Sequence, residues 1–153
     1  MNVEFTAIQI DEALNQCACE TLENLAFTEI LPLDATTLRM NPDQCLGARI
    51  SLGPVGSLDL ILEKGFLAEV GGTLFSVGPE GLEAEALPDT LHEILNIIAG
   101  RFLEKLFQNH SDFEMGLPIE HFDPDEWNAL PTRRIYANEG KIALAIGLGP
   151  TTG

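Results

Sequence analysis

Basic residues are what this chain has least of. Its 153 residues hold 8 lysines and arginines against 24 aspartates and glutamates, a net charge of −16. Such a chain is repelled by phosphate backbones and by anionic lipid, so neither a nucleic acid nor a membrane surface is expected as a partner. A docking partner is expected to bring local positive charge, or a metal ion, to the contact. Cysteines number three, Cys17, Cys19 and Cys45, with no CxxC pair. That argues against a disulfide framework and against a zinc site. No apolar run approaches the ~18 residues that a membrane span needs. The opening Met1-Asn2-Val3-Glu4-Phe5 carries an early acid and lacks the cationic and apolar segments of a signal peptide. A cytoplasmic protein with reduced thiols is the expectation.

Hydrophobic residues make up 45 % of the chain and charged residues 21 %, an ordinary globular composition. The length suits one domain, expected over residues 1–148 with a frayed tail at 149–153. From about Ile10 to Phe27, Leu14, Cys17, Ala18, Leu22 and Leu25 recur at helical spacing. Thr28 to Leu33 reads as a short strand, with Pro32 marking an edge or an end. Ala48 to Leu52 and Leu58 to Glu63 read as strands around the turn Gly53-Pro54-Val55-Gly56. The second alternates, with Leu58, Leu60 and Leu62 on one face. A short helix is predicted from Lys64 to about Val77, interrupted or ended by Gly71-Gly72, and then an acidic loop to Pro88.

The strongest helical segment runs from Asp89, with Asp89 or Thr90 as cap, to about Asn109. Leu91, Ile94, Leu95, Ile98, Phe102 and Leu106 form its apolar stripe. A strand interrupted by Pro118 follows at Met115 to Phe122, then a solvated turn at Asp123-Pro124-Asp125-Glu126. Thr132 to Ala137 and Lys141 to Leu148 form a hairpin around Asn138-Glu139-Gly140. Each half is thus a helix followed by three strands, with a short helix between. This is an α/β (α+β) fold, with two long helices and a short one on a mainly antiparallel sheet of about six strands and a weak internal duplication.

Chemistry points to the polar face of the long helix. Asp89, Glu93, Asn96 and Gly100 stand at i, i+4, i+7 and i+11, along one side. A glycine inside a helix costs roughly 1 kcal/mol relative to alanine and so asks for a reason. Close approach of another molecule is one. The run Asp89-xxx-Glu93-xx-Asn96, continued by Ile97-Ile98-Ala99-Gly100 and followed by Pro118 in Gly116-Leu117-Pro118, resembles the signature of the CheC/CheX/FliY phosphatases. The resemblance extends from about Ala7 to Leu148, and its one-site form is most similar to CheX. It implies a protein that removes phosphate from the aspartate of a CheY-like receiver, with Glu93 and Asn96 catalytic and Asp89, Gly100 and Pro118 at the partner contact. It further implies that Glu93 pairs with the receiver's active-site lysine and that two copies form a homodimer. The amide of Asn96 both donates and accepts and carries no charge to repel phosphoryl oxygens, which suits it to orient the attacking water. The chain is expected to carry no metal or cofactor of its own, since Mg²⁺ comes with the receiver.

Other candidates carry less. A second ExxN, Glu12-xx-Asn15, lies on the first helix, but Ile8 stands where the acid or serine would be and Thr37 where the proline would be. That helix is read as structural. His92, His110 and His121 have no metal-ligand spacing. Cys17 and Cys19 fall on nearly opposite helix faces and read as inert thiols. Two rival readings stay open: a receiver-binding or flagellar-switch-type module without turnover, and an unrelated enzyme with its own metal, for which no ligand set is found. An exposed apolar edge at Lys141 to Leu148 is the physical ground for expecting a dimer.

Overall fold

The computed structural model describes residues 5–34, 39–78, 80, 82–107 and 115–150. The predicted helix end at Asn109-His110 lies outside them. In chain order the elements are α1 (Ala7–Ala26), β1 (Leu31–Leu33), β2 (Cys45–Ser51), β3 (Ser57–Glu63), α2 (Lys64–Leu74), α3 (Leu87–Leu106), β4 (Ile119–Glu120), α4 (Pro124–Asn128), β5 (Thr132–Asn138) and β6 (Lys141–Gly149). The six strands form one sheet in the order β1-β5-β6-β3-β2-β4, and every pairing is antiparallel.

The duplication is visible in that order. Exchanging β1, β2, β3 for β4, β5, β6 turns the sheet order into its own reverse. The halves therefore relate by an approximate two-fold axis between β3 and β6, whose pairing runs from Ser57↔Gly149 to Leu62↔Leu144. Each half contributes one 20-residue helix, an edge strand and two inner strands. Helix α2 lies between the halves.

Alternation decides what each face of the sheet buries. Leu58, Leu60 and Leu62 of β3 turn to a core shared with Leu14, Cys17, Ala18 and Leu22 of α1, Phe66 and Leu67 of α2, and Leu91, Ile94, Leu95, Ile98 and Phe102 of α3. Ile61, one residue out of phase, turns to the other face, where it meets Trp127, Leu130, Ile135 and Ala145. The three larger helices thus cover one face, and α4 with its buried Trp127 covers part of the other. Gly147 on β6 makes room for it: a Cβ there would lie 2.6 Å from Leu130 Cδ1 and 2.9 Å from Trp127 Nε1.

Several expectations are corrected. Lys141–Gly149 is an interior strand, flanked by β5 and β3, so its apolar sequence reflects burial on both faces and gives no ground for a dimer. The true edges are β1 and β4. Gly149, expected in a frayed tail, pairs in β6, and residues 151–153 of that expected tail lie outside the described residues. Asp123 to Glu126 is no mere solvated turn: Asp123 caps α4 by accepting from the Glu126 N–H at 3.1 Å. The long helix starts at Leu87, with Pro88 in its first turn and no side-chain cap. Thr90 does not cap but donates its hydroxyl back to the Ala86 carbonyl at 2.8 Å. Gly71-Gly72 does not break α2. Gly71 is where α2 meets α3, since a Cβ there would lie 2.6 Å from Leu82 Cδ2 and 2.9 Å from Thr90 Cγ2. Of Met115 to Phe122 only Ile119–Glu120 pairs as strand.

Candidate functional site

Helix α3 buries Leu91, Ile94, Leu95, Ile98, Ala99, Phe102 and Leu103, and that stripe fixes its rotation on the sheet. The opposite side is thereby turned to solvent. Asp89, Glu93 and Asn96 are exposed and Gly100 is half-buried. Among the described residues neither the Glu93 carboxylate nor the Asn96 amide has a hydrogen-bond or ion-pair partner, so both groups are free to meet another molecule. Among the described residues a Cβ built at Gly100 meets nothing within 4 Å, so its missing side chain serves no contact with them. Pro118 is half-buried and stands just ahead of β4, which borders β2, a strand that α3 packs against. Helix and proline therefore share one border of the sheet.

The first helix treats its ExxN differently. Asn15 is half-buried, and its side-chain oxygen accepts from the Tyr136 hydroxyl at 2.7 Å and from Arg134 Nη1 at 3.5 Å. Arg134 also grips both carboxylate oxygens of Asp11, at 2.8 and 2.5 Å. Asn15 thus ties α1 to β5 and has no free acceptor to offer a water. Burial of Tyr136 pushes its hydroxyl well above the ordinary phenol range, so it stays a donor. Burial likewise pushes the Cys17 and Cys45 thiols up to about 11, which keeps them protonated and unreactive near neutrality.

A second polar cluster, missed in the sequence, lies on the face of the sheet away from the long helices. The Arg49 guanidinium spans both oxygens of the buried Asp59, at 2.7 and 2.9 Å, and also donates to Glu126. His121 Nε2 lies 3.2 Å from the other Glu126 oxygen. Potential ligand atoms of Asp59, His121 and Glu126 all lie within 4.8 Å of one another. The cluster nevertheless has its cation: a metal would have to displace a guanidinium bonded to both carboxylates. The Arg49 bond, with its charge, holds the Glu126 carboxyl below the usual range, and the two carboxylates raise that of Arg49. The only signal in the sequence was that Arg49 and Asp59 sit at charged positions in otherwise apolar strands. Their pairing needed the β2–β3 register, which sets them opposite each other.

No protein-family model matches the sequence, and no curated protein does. Solved structures do match. The chemotaxis protein CheX from Vibrio vulnificus superposes with a TM-score of 0.65 at 18 % identity, over 91 % of this chain and 98 % of that one. A CheC-like superfamily protein from Shewanella sp. PV-4 gives 0.64 at 17 %, over 93 % and 98 %. CheX from Borrelia burgdorferi, solved as a complex with CheY, BeF₃ and Mg²⁺, gives 0.62 at 14 %, over 92 % and 97 %. No helix among the described residues is long and apolar enough to cross a membrane. The chain has the CheC/CheX fold.

Proposed function

We propose that this chain is a CheX-like member of the CheC/CheX/FliY family and hydrolyses the aspartyl phosphate of a CheY-like receiver in the cytoplasm. The observation that carries the reading is the side-by-side exposure of Glu93 and Asn96, without partners of their own among the described residues, on a helix of the CheC/CheX fold. The Borrelia relative's complex with CheY supports the choice of partner.

The chemistry asks little covalent work of the protein. Water attacks phosphorus in line, the bond to the aspartate oxygen breaks, and phosphate leaves with the receiver's carboxylate regenerated. Mg²⁺ in this reading is the receiver's, and no ion or cofactor is assigned to the chain itself. Asn96 accepts from and orients the water, an amide being neutral and so tolerated beside phosphoryl oxygens. Glu93 is anionic and turns instead to the receiver's lysine. Asp89, in the first turn of α3, and Gly100, one turn beyond Asn96, bound the contact.

The test is phosphate release from phosphorylated receivers. Asn96→Ala is expected to lower the rate on the order of a hundred- to a thousand-fold, about 3–4 kcal/mol, with docking retained. Glu93→Ala is expected to weaken docking as well, since its pair exists already in the ground-state complex. Receiver binding with no loss of acyl phosphate would instead favour the module without turnover. A homodimer belongs to the same reading. With β6 interior, a second copy would be joined through exposed side chains beside β4, where Leu117 is 87 % and Ile119 56 % exposed. Light scattering should give a dimer mass at micromolar concentration, and Leu117→Glu a monomer.

A further inference from the structure

The edge of the sheet farthest from α3 carries a surface that the receiver reading leaves unused. There a groove of about 720 Å³ runs between the end of α1, β1 and the β5–β6 turn, lined by Phe27, Leu31 and Leu33 together with Glu29, Glu69 and Glu139. Phe27 is its most telling member. It takes the left-handed conformation, φ +52, at the C-terminal cap of α1. Glycine is the ordinary choice at that position, because any side chain there is sterically unfavourable. Yet the phenyl ring is 87 % exposed and gains almost no burial within the chain in return. Beside it Leu31 is 58 % exposed on an edge strand.

The carboxylates decide the occupant. None of Glu29, Glu69 and Glu139 forms an ion pair among the described residues. Exposed apolar side chains beside unpaired carboxylates complement a segment that is apolar at its centre and cationic at its flanks. A second copy offering this same groove would set Glu29, Glu69 and Glu139 against their own counterparts. Strand addition is disfavoured too, because Pro32 in the middle of β1 has no N–H to offer an added strand. We propose that this groove docks a short segment of a partner protein that inserts a large apolar side chain flanked by lysine or arginine. The proposal does not involve α3 and stands or falls independently of receiver dephosphorylation.

The test uses the whole chain and three fluorescent heptapeptides: lysine alternating with leucine and phenylalanine, the same with glutamate for lysine, and lysine alternating with serine. Anisotropy should show saturable binding of the first alone, weakening as salt rises. Phe27→Gly should reduce that affinity at least tenfold while leaving the melting temperature unchanged or higher, and dephosphorylation intact. The double variant Glu69→Lys/Glu139→Lys should reduce it as much and decides the matter if Phe27→Gly melts early. Failure of the first peptide to bind, equal binding of the lysine–serine peptide, or wild-type affinity in the double variant overturns the proposal. Self-association of the wild-type chain that Phe27→Gly abolishes also overturns it, and gives the groove to a second copy.

Discussion

Gly100 and Gly71 are both helical glycines, and they answer to different demands. At Gly71 a Cβ would strike Leu82 and Thr90, so the residue is small because α2 and α3 cross there. At Gly100 a Cβ would strike nothing among the described residues. Alanine at a helix-interior position without a clash gains roughly 0.5–1 kcal/mol over glycine. Gly100→Ala is therefore expected to raise the melting temperature and, if a receiver packs against this face, to raise KM for the phosphorylated receiver more than it lowers kcat. A stabilised variant with unchanged KM would mean that the receiver passes elsewhere. The same contrast holds for the two asparagines. Asn15 is committed to Tyr136 and Arg134, while Asn96 is free, so truncating Asn15 should cost stability and truncating Asn96 should cost activity.

At the scale of elements, α4 covers part of the second face of the sheet with very little chain. Asp123 caps it, and Trp127 and Leu130 lie over Gly147, with Ile61, Ile135 and Ala145 around them. The fit depends on the absence of a side chain at 147. Gly147→Ala would drive a methyl group against the indole and is expected to destabilise by about 1–3 kcal/mol. Because Trp127 is the chain's single tryptophan, its fluorescence reports the displacement directly, beside a denaturant melt. An unperturbed emission spectrum and midpoint would show that α4 shifts at no cost. At the sheet's two edges, β1 carries Pro32 and the approach to β4 carries Pro118, so neither end presents an unbroken row of donors for another strand.

For the whole molecule the main electrostatic fact is the charge of −16. In the proposed reading a CheY-like partner would gain little long-range steering from it, and a pair at Glu93 would have to act within the about 8–10 Å over which cellular salt leaves charges in contact. Inside the fold two arginines are placed where acids gather. Arg49 joins Asp59 and Glu126, and Arg134 joins Asp11. The folded state holds the Glu126 carboxyl below its ordinary value of 4.5. A carboxyl so depressed contributes stability that is present above its unfolded pKa and lost as pH falls through its folded one. Thermal stability should accordingly decline in the acid range below about pH 4.5, and Glu126→Gln should flatten that decline without altering the melting temperature's response above it. A variant that keeps the full acid slope would assign it to other carboxylates.

Local pattern determined much of this protein. Helical periodicity set α1 and α3, because an apolar stripe at 3.6-residue spacing can be buried in one way only. It thereby also determined that Asp89, Glu93 and Asn96 face solvent. Alternation set the orientation of β3, and the order of elements in the two halves suggested the weak duplication that the strand order then displays. What depended on neighbours distant in sequence was not legible. Lys141–Gly149 looks the same whether its apolar run is an exposed edge or a strand between two others, and only the sheet order places it inside. Glu12-xx-Asn15 and Glu93-xx-Asn96 share one spacing, and Ile8 and Thr37 set the first apart without showing what occupies its amide. Tyr136 and Arg134, more than a hundred residues from Asn15, separate the occupied amide from the free one. Hydrophobic pattern records which face of an element is buried, whereas polar pairing and strand adjacency are properties of register, and register is fixed only when the whole sheet has formed.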